Sequence, residues 1–159
     1  MTKIKIKFSF LVFNALLFLL RDSELISAFY IACISHELGH VIALKLTSGE
    51  LKSIELSCFG IKMTASPCSS LKSGIFVLLS GPAVNLLLYI IFRVFKIGGF
   101  LSSFNLAEGL FNLLPYSMLD GGAVVNLIAE GSIYESQLRI VYFIIRILTA
   151  LIIATLLMS

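Results

Sequence analysis

The stretch CISHELGHVIAL, Cys33–Leu44, contains both histidines of the chain, His36 and His40, with Glu37 between them. Almost all the residues around these three are apolar. On a helix, residues four positions apart lie on one face, so the two imidazoles can point at one ion. Ionisable side chains within an apolar membrane helix are costly and are usually functional. The stretch therefore predicts a metal site inside a hydrophobic helix. The alternatives are a cluster of polar side chains that hydrogen-bond one another without a metal, or a proton relay.

The composition indicates that lipid surrounds the chain. Of its 159 residues, 58% are hydrophobic and 13% are charged, and the mean hydropathy is +1.03. Soluble domains are about 45–50% apolar and about 25% charged, so this short chain cannot cover its surface with polar groups. The length allows one membrane domain, residues 1–159. The net charge of +3 and the scattered basic residues argue against a nucleic-acid partner.

Hydrophobic segments predict an all-α polytopic membrane protein with about five membrane helices. We place these helices at about 5–20, 25–46, 73–95, 101–129 and 137–158. No small-residue cleavage site follows the first segment, so we interpret it as an uncleaved membrane helix. The fourth is interrupted by NLLPYSMLDGG, Asn112–Gly122. Because such a break is tolerated only where the backbone faces protein or a water-filled cavity, it indicates a site.

The connection between the second and third segments differs from the rest of the chain. In KSIELSCFGIKM, residues 52–63, apolar and polar residues alternate. This period of two predicts one or two short strands near the membrane surface, with a hairpin or bulge at Gly60.

Basic residues predict the orientation of the chain. With the N-terminus inside, eight lysines and arginines lie on the cytoplasmic side and three on the outer side, which favours this arrangement. The eight are Lys3, Lys5, Lys7, Lys45, Lys52, Lys62, Lys72 and Arg139, and the three are Arg21, Arg93 and Lys96.

The three cysteines, Cys33, Cys58 and Cys68, are odd in number and have no C-x-x-C spacing, so we expect packing roles. Cys33 lies three residues before His36 and projects near the same helix face. A thiolate ligand there would make a closed, structural zinc site. We therefore expect Cys33 to pack beside the metal.

The spacing H-E-x-x-H is that of zinc sites in which two imidazoles bind the metal beside its open coordination position. The glutamate of such a site takes a proton from the water that attacks a carbonyl. A catalytic site also needs a third protein ligand. The acidic candidates in or near the spans are Glu108, Asp120, Glu130 and Glu135. Asp120 adjoins the helix break, although it could instead be a helix N-cap.

Three motifs together, HELGH, SGPAVN and NLLPYSMLDGG, resemble the site-2 protease family of intramembrane zinc metalloproteases. The resemblance covers residues from about 30 to 128 and is that of a minimal form without PDZ or CBS domains. It implies a catalytic core at about 25–129, with helices at about 25–46, 73–95 and 101–129. The helices at about 5–20 and 137–158 would flank this core.

The resemblance also implies roles for individual residues. His36, His40 and Asp120 would bind one zinc ion per chain, and Glu37 would be the catalytic base. Asn112 and Asn85 match family asparagines near the active site, which are thought to hold the substrate or the transition state. Asparagines in membrane helices also commonly form hydrogen bonds with neighbouring helices, which is the alternative role. The chain departs from the family at Tyr116, Ser117 and Met118, where prolines are common.

The implied function is zinc-dependent cleavage of membrane-tethered regulatory proteins, within or near their transmembrane segment. Anti-sigma and pro-sigma factors are substrates of this kind, and a regulatory membrane partner could control access. We expect the strand at 53–58 to have an unpaired edge to which an unwound substrate adds. The implied location is multi-pass in a bacterial cell membrane, with the N-terminus cytoplasmic and the active site toward the cytoplasmic side.

Two other functions stay open. Membrane zincins of the CAAX-prenyl-protease type also use H-E-x-x-H, but their third ligand is a glutamate, and this chain shows no fitting glutamate-bearing helix. A catalytically silent membrane chaperone or scaffold derived from a protease could keep its zinc. Cleavage, not metal content, separates that possibility from the protease.

Overall fold

The structure is a computed structural model that describes residues 3–19, 22–57, 60–66, 68, 70–130 and 132–158. Within this part of the chain it is mainly helical with one small sheet, in agreement with the predicted class. The elements are β1 (Lys3–Ile6), α1 (Phe8–Leu19), α2 (Ser23–Leu46), β2 (Leu51–Ser57), β3 (Gly60–Ala65), α3 (Leu71–Val94), α4 (Gly99–Asn112), α5 (Asp120–Ala129) and α6 (Glu135–Met158).

Helices α2 and α3 are the two in the described residues that are long and apolar enough to cross a membrane. Each has 24 residues, a length of about 36 Å against a hydrocarbon core of about 30 Å. Only 28% and 17% of their apolar windows are buried. Large apolar side chains on their outer faces, such as Leu38 and Leu87, are 52% and 57% exposed. These exposed apolar faces are suited to contact with lipid. The count of five membrane spans stays a prediction.

The predicted strands between α2 and α3 are present. Strands β2 and β3 pair antiparallel, with Ile54 opposite Met63 and Ser57 opposite Gly60. Gly60 has a φ of +105°, a backbone conformation that glycine adopts more readily than other residues. Cys58, for which we expected a packing role, lies outside the described residues.

The first strand corrects two predictions. Residues Lys3–Ile6 pair in parallel with β2, so β2 lies in the middle of a three-stranded sheet. The expected unpaired edge at 53–58 is therefore wrong. The predicted first helix, about 5–20, starts only at Phe8, and α1 has 12 residues. The alternation in KIKI is typical of a strand, and the predicted helix includes its last two residues, Lys5 and Ile6.

The predicted fourth helix, about 101–129, is broken as expected. Helix α4 ends at Asn112 and α5 begins at Asp120, and with 14 and 10 residues they are about 21 and 15 Å long. Gly121 and Gly122 lie so close to the backbone of the preceding segment that neither position has room for a Cβ atom. Asp120 is the first residue of α5 and Leu119 is its N-cap, so Asp120 is not the cap.

Helix α2 packs against both α3 and α4, and α3 also packs against α5. Helix α2 comes close to the backbone of α3 at Gly39, where a Cβ atom would lie 2.7 Å from the carbonyl oxygen of Ser80. Small residues at such crossings let membrane helices pack backbone to backbone. This packing brings the HELGH and SGPAVN motifs together.

Candidate metal centre

Two helices bring three potential metal ligands to one point. His36 and His40 lie one turn apart on α2, and Asp120 opens α5. Asp120 Oδ2 lies 2.9 Å from His36 Nε2 and 3.1 Å from His40 Nε2, and the two Nε2 atoms are 3.1 Å apart. Among the described histidines, cysteines and acidic residues, these three form the group whose ligand atoms lie within 4.8 Å of one another. The structure thus assembles the residues predicted to bind zinc, and zinc binding itself stays a prediction.

The Nδ1 atom of each imidazole, on the side of the ring away from the three-ligand group, faces an oxygen acceptor. His36 Nδ1 lies 2.7 Å from Asn85 Oδ1, and His40 Nδ1 lies 2.7 Å from the carbonyl oxygen of Val77. Because these oxygens accept, each Nδ1 carries the hydrogen and donates it. In the neutral rings, both Nε2 lone pairs consequently point toward Asp120.

This arrangement fits a metal ion. Two imidazole lone pairs and a carboxylate oxygen face one another at about 3 Å, and neutral rings have no hydrogen there to share. A cation between the three atoms satisfies all of them. Two imidazoles and one carboxylate are ligands that zinc accepts in catalytic sites, where three protein groups leave a coordination position open.

Helix α3 closes the centre from one side through Gly81. A Cβ atom at this position would lie 2.5 Å from His40 Nε2 and 2.8 Å from His36 Nε2. The backbone of α3 therefore approaches the ligand atoms more closely than any side chain would allow. Gly81 is thus a point of close packing between α3 and the two histidines.

Glu37 is a neighbour of the three ligands, and Cys33 precedes His36 on the same helix. The Glu37 carboxylate is half-buried and interacts electrostatically with His40, His36 and Asp120. The role of Glu37 as the catalytic base stays a prediction. Cys33 is a free, half-buried thiol and is not part of the group of three ligands.

The two asparagines predicted to hold substrate make contacts within the protein. Asn112 ends α4, and its Nδ2 lies 3.1 Å from both the carbonyl oxygen and Oε1 of Glu108. Asn85 is fully buried, and its Oδ1 accepts a hydrogen bond from His36 Nδ1. Both substrate roles stay predictions.

Asn105 was not among the site residues predicted from the sequence. This side chain is fully buried on α4, and its Oδ1 accepts a hydrogen bond of 3.0 Å from Asn85 Nδ2. An asparagine within the apolar stretch of α4, seven positions before Asn112, was the available signal. Its importance depends on the packing of α3 against α4, which the sequence pattern does not show.

Helix α6 holds the segment that leads to Asp120. The Tyr116 hydroxyl donates to the carbonyl oxygen of Arg146 at 3.1 Å and lies 3.2 Å from Thr149 Oγ1. Arg146 Nε donates in turn to the carbonyl oxygen of Pro115. Tyr116 is one of the positions at which the chain departs from the family, so here the departure ties the loop to α6.

Sequence comparison finds proteins with zinc metalloprotease names. Over 111 residues, 62% of this chain and 29% of the relative, it is 34% identical to a Synechocystis protein named "Putative zinc metalloprotease sll0528". Over 108 residues, 58% of this chain and 28% of the relative, it is 29% identical to "Putative zinc metalloprotease Rip3" of Mycobacterium tuberculosis. The chain thus spans less than a third of the length of these curated relatives, and no family model matches it.

Structure comparison identifies the fold. The chain superposes on the site-2 protease from Methanocaldococcus jannaschii with a TM-score of 0.71 and 21% sequence identity. The match covers 83% of this chain and 69% of the archaeal protein. Together, the named relatives and the shared fold confirm the resemblance to the site-2 protease family of zinc metalloproteases that the three motifs predict.

Proposed function

We propose that this chain is a zinc-dependent intramembrane endopeptidase that cleaves membrane-tethered regulatory proteins within or near their transmembrane segment. One observation carries the proposal. His36, His40 and Asp120 converge between helices whose outer faces suit lipid, and Glu37 lies beside them. The sequence relatives named as zinc metalloproteases support the choice of metal.

The chemistry divides between the metal and the chain. The zinc would supply Lewis acidity, which makes water a nucleophile near neutral pH and polarises a peptide carbonyl. Glu37 would accept the proton of the attacking water and pass it to the leaving amine. His36, His40 and Asp120 would hold the ion, and the carbonyl of Val77 would keep the His40 ring in place.

The depth of the centre supports a substrate within the membrane. His36 and His40 lie ten and six residues before Leu46, the last residue of α2. At 1.5 Å per residue these are about 15 and 9 Å from that helix end. The centre would therefore lie inside the span, nearer the end that leads to the sheet, which is the cytoplasmic side in the orientation that the basic residues favour.

Cleavage in cells tests the proposal. The chain is co-expressed with tagged single-span regulators encoded beside it, and their fragments are detected by immunoblotting. We expect a soluble fragment with the wild type and with Glu24→Gln, a matched change in the first turn of the same helix. Glu37→Gln should bind zinc but yield no fragment, because the amide cannot take the proton.

The outcomes separate the candidate functions. A fragment that persists in Glu37→Gln contradicts the proposed mechanism. A regulator that is bound by the wild type and stays intact supports the scaffold derived from a protease. Cleavage confined to prenylated peptides supports the CAAX-prenyl-protease type.

A further inference from the structure

A line of buried hydrogen bonds runs from α4 through α3 to the metal centre. Asn105 Nδ2 donates to the carbonyl oxygen of Leu101 at 2.8 Å, and Asn105 Oδ1 accepts from Asn85 Nδ2 at 3.0 Å. Asn85 Oδ1 lies 2.7 Å from His36 Nδ1. Asn85 and Asn105 are both 0% exposed, so water does not compete for these bonds.

The neighbours determine which way each amide faces. The carbonyl oxygen of Leu101 only accepts, so the nitrogen of Asn105 faces it and the oxygen of Asn105 faces α3. Asn85 meets two acceptors at 3.0 Å, the carbonyl oxygen of Ala32 and Asn105 Oδ1. Its nitrogen must face both of them, and its oxygen is left for His36.

The orientation of the Asn85 amide determines the tautomer of the His36 imidazole. With an acceptor opposite Nδ1, His36 keeps its hydrogen there and presents the Nε2 lone pair to the centre. If Asn105 rotated its amide, its nitrogen would meet the nitrogen of Asn85 and one donor of each would lose its acceptor. The two asparagines therefore favour one tautomer of His36.

We propose that Asn105 is a positioning residue for the metal centre, acting through Asn85 to hold His36 in the tautomer that binds the ion. The inference rests on metal binding by His36, as in the proposed function, but not on proteolysis. Groups that orient a ligating histidine typically change metal affinity by about 10–100-fold. The two histidines differ in this respect, since the backbone carbonyl of Val77 orients His40.

A double-mutant cycle tests the proposal. The zinc dissociation constants of the wild type, Asn85→Ala, Asn105→Ala and the double variant are measured by chelator competition on purified protein in detergent. We expect Asn85→Ala to weaken zinc binding by about 10–100-fold, and Asn105→Ala to weaken it less. Since Asn105 acts through Asn85, its substitution should have no further effect in the Asn85→Ala background.

Asn14→Ala is the matched control. Asn14 is also an asparagine that joins two helices, because its side chain accepts a hydrogen bond from Tyr30 of α2, but it lies on α1, which supplies none of the three ligands. Zinc affinity should be unchanged in this variant even if its melting temperature falls. Equal losses of zinc affinity in Asn14→Ala and Asn105→Ala would show a general packing effect and overturn the proposal.

Two further results would overturn it. One is an unchanged zinc dissociation constant in Asn105→Ala. The other is an equal loss of zinc affinity when Asn105→Ala is introduced into the wild type and into the Asn85→Ala variant. If Asn105→Ala does not fold, Asn105→Ser replaces it, because a serine hydroxyl can still bond the Leu101 carbonyl. None of these measurements requires cleavage, so failure here and failure of the protease proposal are distinguishable.

Discussion

The metal centre has a histidine side and an aspartate side, and the protein supports them differently. The histidines project from the C-terminal half of the 24-residue helix α2, and their Nδ1 atoms form hydrogen bonds with α3. Asp120 projects from the first residue of the ten-residue α5, after an irregular segment, 113–119. The side chains of His36 and His40 are 5% and 11% exposed, and that of Asp120 is 17% exposed.

This difference indicates how the centre is assembled. Two ligands share one helix, so the packing of α2 against α3 determines their positions together. The third ligand depends on a helix break that α6 holds through Tyr116 and Arg146. We therefore expect the loss of either histidine to remove zinc, and substitutions on the aspartate side to have graded effects.

The largest effect should come from the histidines. His36→Ala or His40→Ala removes one of the two imidazole ligands, and zinc content should fall from about one ion per chain to near zero. Metal analysis of purified protein by mass spectrometry measures this change. Cys33→Ala is the control and should keep its zinc. Stoichiometric zinc in both histidine variants would contradict the ligand assignment.

Next in size should be the Asp120 series. Asp120→Ala removes the anionic ligand, so zinc content and cleavage of a tethered reporter should fall together. Asp120→Asn should be intermediate, because an amide oxygen can coordinate the ion but has no charge. Zinc content and reporter cleavage are both measured on the same preparation of each variant and are then compared across the series. If Asp120→Ala keeps full zinc and cleaves normally, the third ligand lies elsewhere, with Glu108 the first residue to test.

Gly81→Ala tests the packing of the histidine side with a single methyl group. The added Cβ would lie 2.5 Å from His40 Nε2, so the ring must move, and zinc affinity should fall by about 10–100-fold, as for other groups that orient a ligand. Chelator competition measures the loss. Gly99→Ala, where a Cβ atom meets nothing within 4 Å, is the control. Equal affinities in the two variants would show that the centre tolerates this displacement.

The smallest effect should come from Tyr116→Phe, which removes only the hydroxyl that bonds α6. Hydrogen bonds between membrane helices average about 0.6 kcal/mol, so zinc affinity should fall by about threefold at most. Chelator competition measures this loss, and Tyr134→Phe, at an exposed tyrosine before α6, is the control. A loss as large as that in Asp120→Ala would show that the contact with α6, rather than the break itself, places the aspartate.

Local patterns in the sequence predicted most of the centre. The spacing of HELGH places two histidines on one helix face, and the apolar runs locate α2 and α3 within about two residues of their ends. The break before Asp120 follows from Pro115 and the two glycines. What the sequence did not show are contacts between distant segments: β1 beside β2, Asn105 beside Asn85, and Tyr116 beside α6. Such contacts depend on which faces meet after the helices pack.

The parallel pairing of β1 with β2 has a consequence for topology mapping. Because Lys3 lies opposite Ser53 in one sheet, the amino-terminal residues and the α2–α3 connection must face the same compartment. In a chain whose three native cysteines are replaced by serine, single cysteines introduced at Lys3 and Lys52 should therefore react alike with a membrane-impermeant maleimide, in intact cells or in inverted vesicles. Each position thus serves as an internal standard for the other when the sidedness of this protein is measured.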